Sequence, residues 1–322
     1  MELTNHTPYP ARLFRGYIGD DLFIASLAVR VTYDVQKETL TISKEQTWPV
    51  SPQPWESEYG VMDSDEVFYR GGVDLFVFGQ AYAPGYREAL ESEVTIEVGS
   101  FFKRRIAVFG DRVWEKKEDN FIISQPKPFR VIPLTPEYAY GGKDEWDELE
   151  ISFPDNPDGK GFYLEEEQAA GNPLPNMEDP DNRIRKWDDR PTPVVMMPCP
   201  MQSPLRVQNG LEMDEQGNLI KLKPEFFNSA YPQMILDQLQ SGDVIKISGM
   251  KKTGEFSFSL ATTELKVRLQ FDKEVIERPL TIDQIGIEVE KDRVFISYRY
   301  PFRYKFYPLQ QRMCELFALS VS

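Results

Sequence analysis

Histidine is almost missing from this sequence. Its 322 residues contain one, His6, and two cysteines, Cys199 and Cys314. A single histidine set between Asn5 and Thr7 supports no Ser–His or Cys–His pair elsewhere in the chain. Neither cysteine has a CxxC neighbour, so no metal centre is expected. Phosphate loops are missing too. Gly141-Gly142-Lys143 lacks the spacing and the following Ser or Thr of a P-loop, and no GxGxxG follows a strand. No run approaches the ~18 apolar residues of a membrane span, and no apolar segment follows Met1. A chain of this length buries about three quarters of its unfolded surface, and needs no metal or disulfide to hold it together. The expectation is a soluble, cytoplasmic protein with no cofactor, no metal and no membrane partner.

Basic charge is the next shortage. Against 52 Asp and Glu stand 37 Lys and Arg, a net charge of −15. A phosphate-backbone binder wants a basic face, so nucleic acid is not an expected partner. The same field would speed the approach of a basic protein by roughly 10 to 10³ at low salt, or serve only to keep soluble molecules apart.

What the chain does hold is proline and glycine, and both crowd into Pro126–Asn182. Each proline removes a backbone donor and fixes φ, so no long helix or central strand can cross this stretch. Yet Phe129, Ile132, Tyr138, Tyr140, Trp146, Phe153 and Phe162 need burial, which separates it from a disordered linker. Two readings follow: an ordered, irregular layer that displays a fixed surface, or a long connection that merely covers the core.

On either side the pattern is β. Leu22–Val35 alternates as a half-buried strand with Leu40–Ile42 as hairpin partner, and Val73–Tyr82 has the apolar run of a strand covered on both faces. Glu93–Phe109 reads as a hairpin with a basic tip at Lys103, Arg104 and Arg105. Strands resume over 243–250, 255–260, 265–271, 284–289 and 293–300, with a short helix after Pro232. Leu309, Met313, Leu316 and Phe317 share one face of a closing helix over Leu309–Leu319. The fold class is mainly β: packed antiparallel sheets, sandwich-like, with long irregular connections and one or two short helices. The chain reads as one unit over 1–322, with an N-terminal β part (1–125), the covering layer (126–204) and a C-terminal β part (205–322).

Carboxylates are the one catalytic group in surplus, clustering at Asp63, Asp65 and Glu66, at Asp144–Glu148, and at Asp155 with Asp158. A carbohydrate-binding or glycoside-active β-protein would need a facing pair of them over an aromatic floor. Turn chemistry accounts for many of the same residues, Asn156-Pro157-Asp158-Gly159 among them. The run Tyr298–Phe306 sets Tyr300, Phe302 and Tyr304 on one side of an extended chain, with Arg299, Arg303 and Lys305 on the other. Pro301 marks it as an edge, where a partner peptide could add a strand.

These segments together resemble a bacterial family, the domain of unknown function 2169. The matching pieces include Leu3–Pro8, Val29–Asp34, Val108–Trp114, Ala139–Gly142, Asn156–Phe162 and Leu174–Pro180, with Asp283–Arg299 similar to a late strand pair. Tyr140 stands where the family pattern has Phe, and Val194–Pro204 departs from its proline segment. The resemblance implies a non-enzymatic adaptor or chaperone of type VI secretion. Such a protein holds a secreted toxin effector and helps load it onto the valine–glycine-repeat spike protein. Its partner-facing residues are expected among Tyr138, Tyr140, Trp146 and Phe162, with Tyr300, Phe302 and Tyr304 as a second aromatic set. A structural subunit of the spike is a further alternative.

Overall fold

Two tight turns set up the N-terminal strands. Asp20 and Asp21 (φ 50° and 56°), then Lys37 and Glu38 (49° and 62°), are left-handed pairs of the kind that close two-residue hairpins. Between them runs Leu22–Gln36, with Ala11–Gly19 along its first half and Thr39–Ile42 along its last. Its other edge pairs with Arg293–Lys305. In the computed structural model, which describes residues 1–118 and 120–318, this pair is central to a 12-stranded sheet. Beyond Thr39–Ile42 come Phe256–Ser259, Val244–Ser248, Glu91–Val98, Phe102–Phe109 and the short Met177–Glu178. Beyond Arg293–Lys305 come Thr281–Glu288, Val73–Phe78 and Ile235–Leu236, the first two of these parallel to each other.

The sheet curls, so that Val94, Ile96 and Ile106 from one end share a core with Leu75, Phe76 and Ile285 from the other. A second sheet, Leu3–Asn5, Arg312–Ala318, Leu265–Phe271 and Glu274–Pro279, lays Val267, Leu269, Cys314 and Leu316 on the same core. The fold is mainly β with packed sheets, and the α-helices among the described residues are Glu166–Ala169 and Pro204–Gly210. Among those residues no helix is long and apolar enough to cross a membrane.

Several local readings change. Leu22–Gln36 is not half-buried, because Ala28, Arg30 and Thr32 are as enclosed as Leu27, Val29 and Val31. The closing helix is instead the strand Arg312–Ala318, Leu319 lying outside the described residues. Its pairing with Leu265–Phe271 buries Cys314 and Leu316 at period 2 and overrides the helical spacing. The helix after Pro232 is a single 3₁₀ turn, Pro232–Met234. Lys103, Arg104 and Arg105 lie in the strand rather than at its tip, paired with Glu97, Asp179 and Glu93. Pro301 sits just beyond the last pair made by Thr281–Glu288, at Arg299, so only the end of that strand is an edge.

Candidate docking surface

Backbone packed against backbone holds the irregular layer together. Tyr140–Gly141 pairs in parallel with Lys160–Gly161. Buried Asn156 donates from Nδ2 to the carbonyls of Pro136 and Tyr140, both at 2.9 Å. Gly141 has φ +148°, and a Cβ there would run into the Asn156 carbonyl. Below this lies a core separate from that of the sheets, built from Trp114, Tyr140, Phe162, Tyr163, Leu174 and Ile184. Asn176 and Arg112 tie the layer down. The first donates to the Phe109 carbonyl at 2.9 Å, and the second to Glu178 at 2.5 Å and the Pro175 carbonyl at 2.7 Å. The stretch 126–182 is thus ordered, with a core of its own.

Two hairpins project from the body. In Lys143–Trp146 with Leu149–Ser152, Trp146 stands opposite Leu149, and they are 56% and 60% exposed, with Ile151 beside them. This arm is anchored at its base, where Asp144 accepts from the Leu164 N–H at 2.7 Å and Gln168 donates to the Glu145 carbonyl at 2.6 Å. The second arm, Leu211–Met213 with Leu219–Leu222, exposes Met213, Leu219 and Ile220 and closes on an Asp214 turn. The Asn218 amide and backbone at that turn hold the Asp214 carboxyl below its usual range.

Between the hairpin Trp55–Ser57/Gly60–Met62 and the turns at Pro136 and Pro157 runs a groove of about 500 Å³. Met197 to Gln202 and Tyr231 complete its lining. Helix Pro204–Gly210 fixes one wall. Asp155 accepts from Ser203 Oγ at 2.5 Å and the Leu205 N–H at 3.2 Å, while Arg206 holds Asp63 at 2.6 Å. Burial pushes the Cys199 thiol in this wall up to about 11.

The large sheet and the loop before Val73–Phe78 carry a network of buried charge. Arg30 meets Asp65 at 2.6 Å, Arg299 meets Asp283 at 2.5 Å, and Arg70 stands 3.3 Å from Asp74 and 3.6 Å from Asp283. Burial opposes the charge on Arg70, yet Asp74 and Asp283 outweigh it and raise its pKa. Burial lowers the pKa of Arg299, with Asp283 opposing. Asp63, Asp65, Asp144 and Asp155, counted among the surplus carboxylates, are thus all engaged in ion pairs or in hydrogen bonds to backbone N–H groups.

The seven aromatics named from sequence fall into different settings. Trp146 is exposed, and Tyr138 is half-buried with the Lys160 ammonium 4.8 Å from its ring. Tyr140 and Phe162 lie inside the layer's own core and support the surface rather than form it. Tyr300 and Phe302 are half-buried against the main core, and Tyr304 is buried between Phe23 and Phe271. That ladder seats the second sheet, and no ring contact among the described residues joins it to the first set. The groove escapes a reading of the sequence because its prolines come from four separate segments.

Fold and surface together define a curled β-sheet protein that carries an ordered irregular layer. Residues 21–299 match the family model described as "Uncharacterized protein conserved in bacteria (DUF2169)", and the chain belongs to that family. No curated protein and no solved structure matches the chain.

Proposed function

We propose that this protein is a non-enzymatic adaptor that binds a type VI secretion effector and helps load it onto the valine–glycine-repeat spike protein. One observation carries the reading: Trp146, Leu149 and Ile151 form an apolar stripe on an anchored arm that stands in solvent. Exposed aromatic and aliphatic side chains held on a rigid support are the usual anchors of protein interfaces. An adaptor needs a surface of roughly 1,600 Å² in total, with dissociation fast enough to release its cargo. The arm supplies anchors and the ordered layer around it supplies area.

The test is co-purification of the effector from the native host with the full chain. Trp146→Glu with Leu149→Glu is expected to reduce the recovered effector at least about tenfold, a difference of 1.4 kcal/mol. Circular dichroism should not change, because both side chains are already in water. Undiminished recovery by the variant, or no effector recovered by the parent chain, would overturn the reading.

A further inference from the structure

We infer that the 500 Å³ groove takes an extended, positively charged segment of the protein partner, with an apolar side chain on its floor and Lys or Arg at its rim. The inference rests on the adaptor reading only for whose segment it is. The chemistry comes from the lining itself.

The floor is apolar and adjustable. Met197 and Met201 contribute flexible thioether chains beside Val61, and such side chains refit to differently shaped ligands. The volume lies within the range of about 300–1,000 Å³ usual for ligand clefts, yet is too small for a helix about 10 Å across. An extended strand of chain fits.

The polar groups of the lining accept hydrogen bonds far more than they donate. Pro54, Pro136, Pro157, Pro198 and Pro200 have no N–H. Tyr59 gives its hydroxyl proton to Glu288 at 3.0 Å, and Tyr231 gives its own to the Asp155 carbonyl at 2.6 Å. The Asn156 amide is committed to two carbonyls. Against this stand Glu56, Glu137 and Asp158, exposed carboxylates with no ion-pair partner among the described residues. The cations beside the groove are already matched, Arg206 with Asp63 and Lys291 with Glu58 and Glu288. An acidic or phosphorylated segment would meet like charge at the rim, with the exposed Gln202 amide as a side-chain donor to set against it. A cationic one satisfies the rim while its apolar residues cover the methionines.

Fluorescence anisotropy with the full chain at about 0.15 M salt, where screening acts over about 8 Å, tests this, using two fluorescein-labelled peptides of equal length, one alternating Leu and Arg, the other Leu and Glu. The Leu/Arg peptide is expected to bind and the Leu/Glu peptide not. Glu137→Lys with Asp158→Lys should weaken binding about tenfold, and Met201→Arg should do so independently. Glu38→Lys with Glu274→Lys, an equal charge change at exposed positions elsewhere, should have less than about a twofold effect, since rim charges act mainly within a screening length. Equal binding of both peptides, or equal weakening by both double variants, would overturn the inference, the latter because bulk charge would then explain it. If effector recovery from the host survives Glu137→Lys with Asp158→Lys and falls only with the Trp146 arm variant, the groove proposal fails while the adaptor reading stands.

Discussion

Asp74→Ala is expected to destabilise the chain by about 3–5 kcal/mol, the range for removing one partner from a buried ion pair. Asp74 has no exposed surface. It accepts from Asn228 Nδ2 at 2.9 Å, the Ser229 N–H at 3.0 Å, the Ala230 N–H at 3.2 Å and Gln284 Nε2 at 3.2 Å. Alanine leaves those donors unsatisfied and, among the described residues, leaves Arg70 with Asp283 as its ion-pair partner, which Arg299 already shares. The arginines 30, 70 and 299 balance the aspartates 65, 74 and 283 only while all six are present. Asp74→Asn should be nearly as harmful. Both carboxylate oxygens face donors, so one orientation or the other of the amide points its NH₂ at an N–H. Urea unfolding followed by tryptophan fluorescence reads the effect. With a slope of about 3 kcal/mol/M, the upper end of the range typical of small proteins, the midpoint should fall by about 1 to 1.7 M. An unchanged midpoint would mean that the donors find water or relax. The same site supports the groove, because the Ser229 carbonyl accepts from the Cys199 N–H at 2.7 Å and Ser229 is two residues from groove-lining Tyr231.

The strands were legible where solvent or core acts alone on a face. Glu91–Val98 buries Val94, Ile96 and Val98 and leaves alternate residues wetter, so period 2 shows directly. Val73–Phe78 is buried throughout and reads as a continuous apolar run. Arg30 and Arg299 mislead a sequence reading because a cation alternating with apolar residues looks solvated, whereas here each finds a buried aspartate, Asp65 from a loop and Asp283 from the neighbouring strand. One clue was present. Asp74 interrupts the run of a strand covered on both faces, and an acid in that position must be paired. For the surface, aromatic content in 126–182 did indicate order. It did not separate Trp146, which faces water, from Tyr140 and Phe162, which the layer spends on its own core. No local window could reveal that division, since it depends on where Trp114, Leu174 and Ile184 fold back.

Gly141→Ala should release that layer while leaving the sheets folded. Two separate penalties meet at this residue. Its φ of +148° strains any side-chain-bearing residue by about 1–3 kcal/mol, and the added methyl would collide with the Asn156 carbonyl, which is backbone and can yield only by moving the turn. Moving it breaks the pairing of Tyr140–Gly141 with Lys160–Gly161 and the Asn156 bonds to Pro136 and Tyr140. Because Tyr140 and Phe162 pack in a core of their own, the loss is expected to stay local. Trypsin reads it, since cleavage at half-buried Lys160 follows the population of the opened layer. That cleavage should rise at least about tenfold, as a shift of 1.4 kcal/mol or more requires, while Arg30 and Arg299 stay protected. Gly171→Ala is the control. It too has a positive φ, +77°, but its Cβ would meet nothing within 4 Å, so only the smaller conformational penalty applies. If Lys160 stays as protected in Gly141→Ala as in the parent, the glycine contact is not what holds the layer. If Arg30 and Lys160 are cut together, the layer and the sheets unfold as one unit, and the second core has no independent stability.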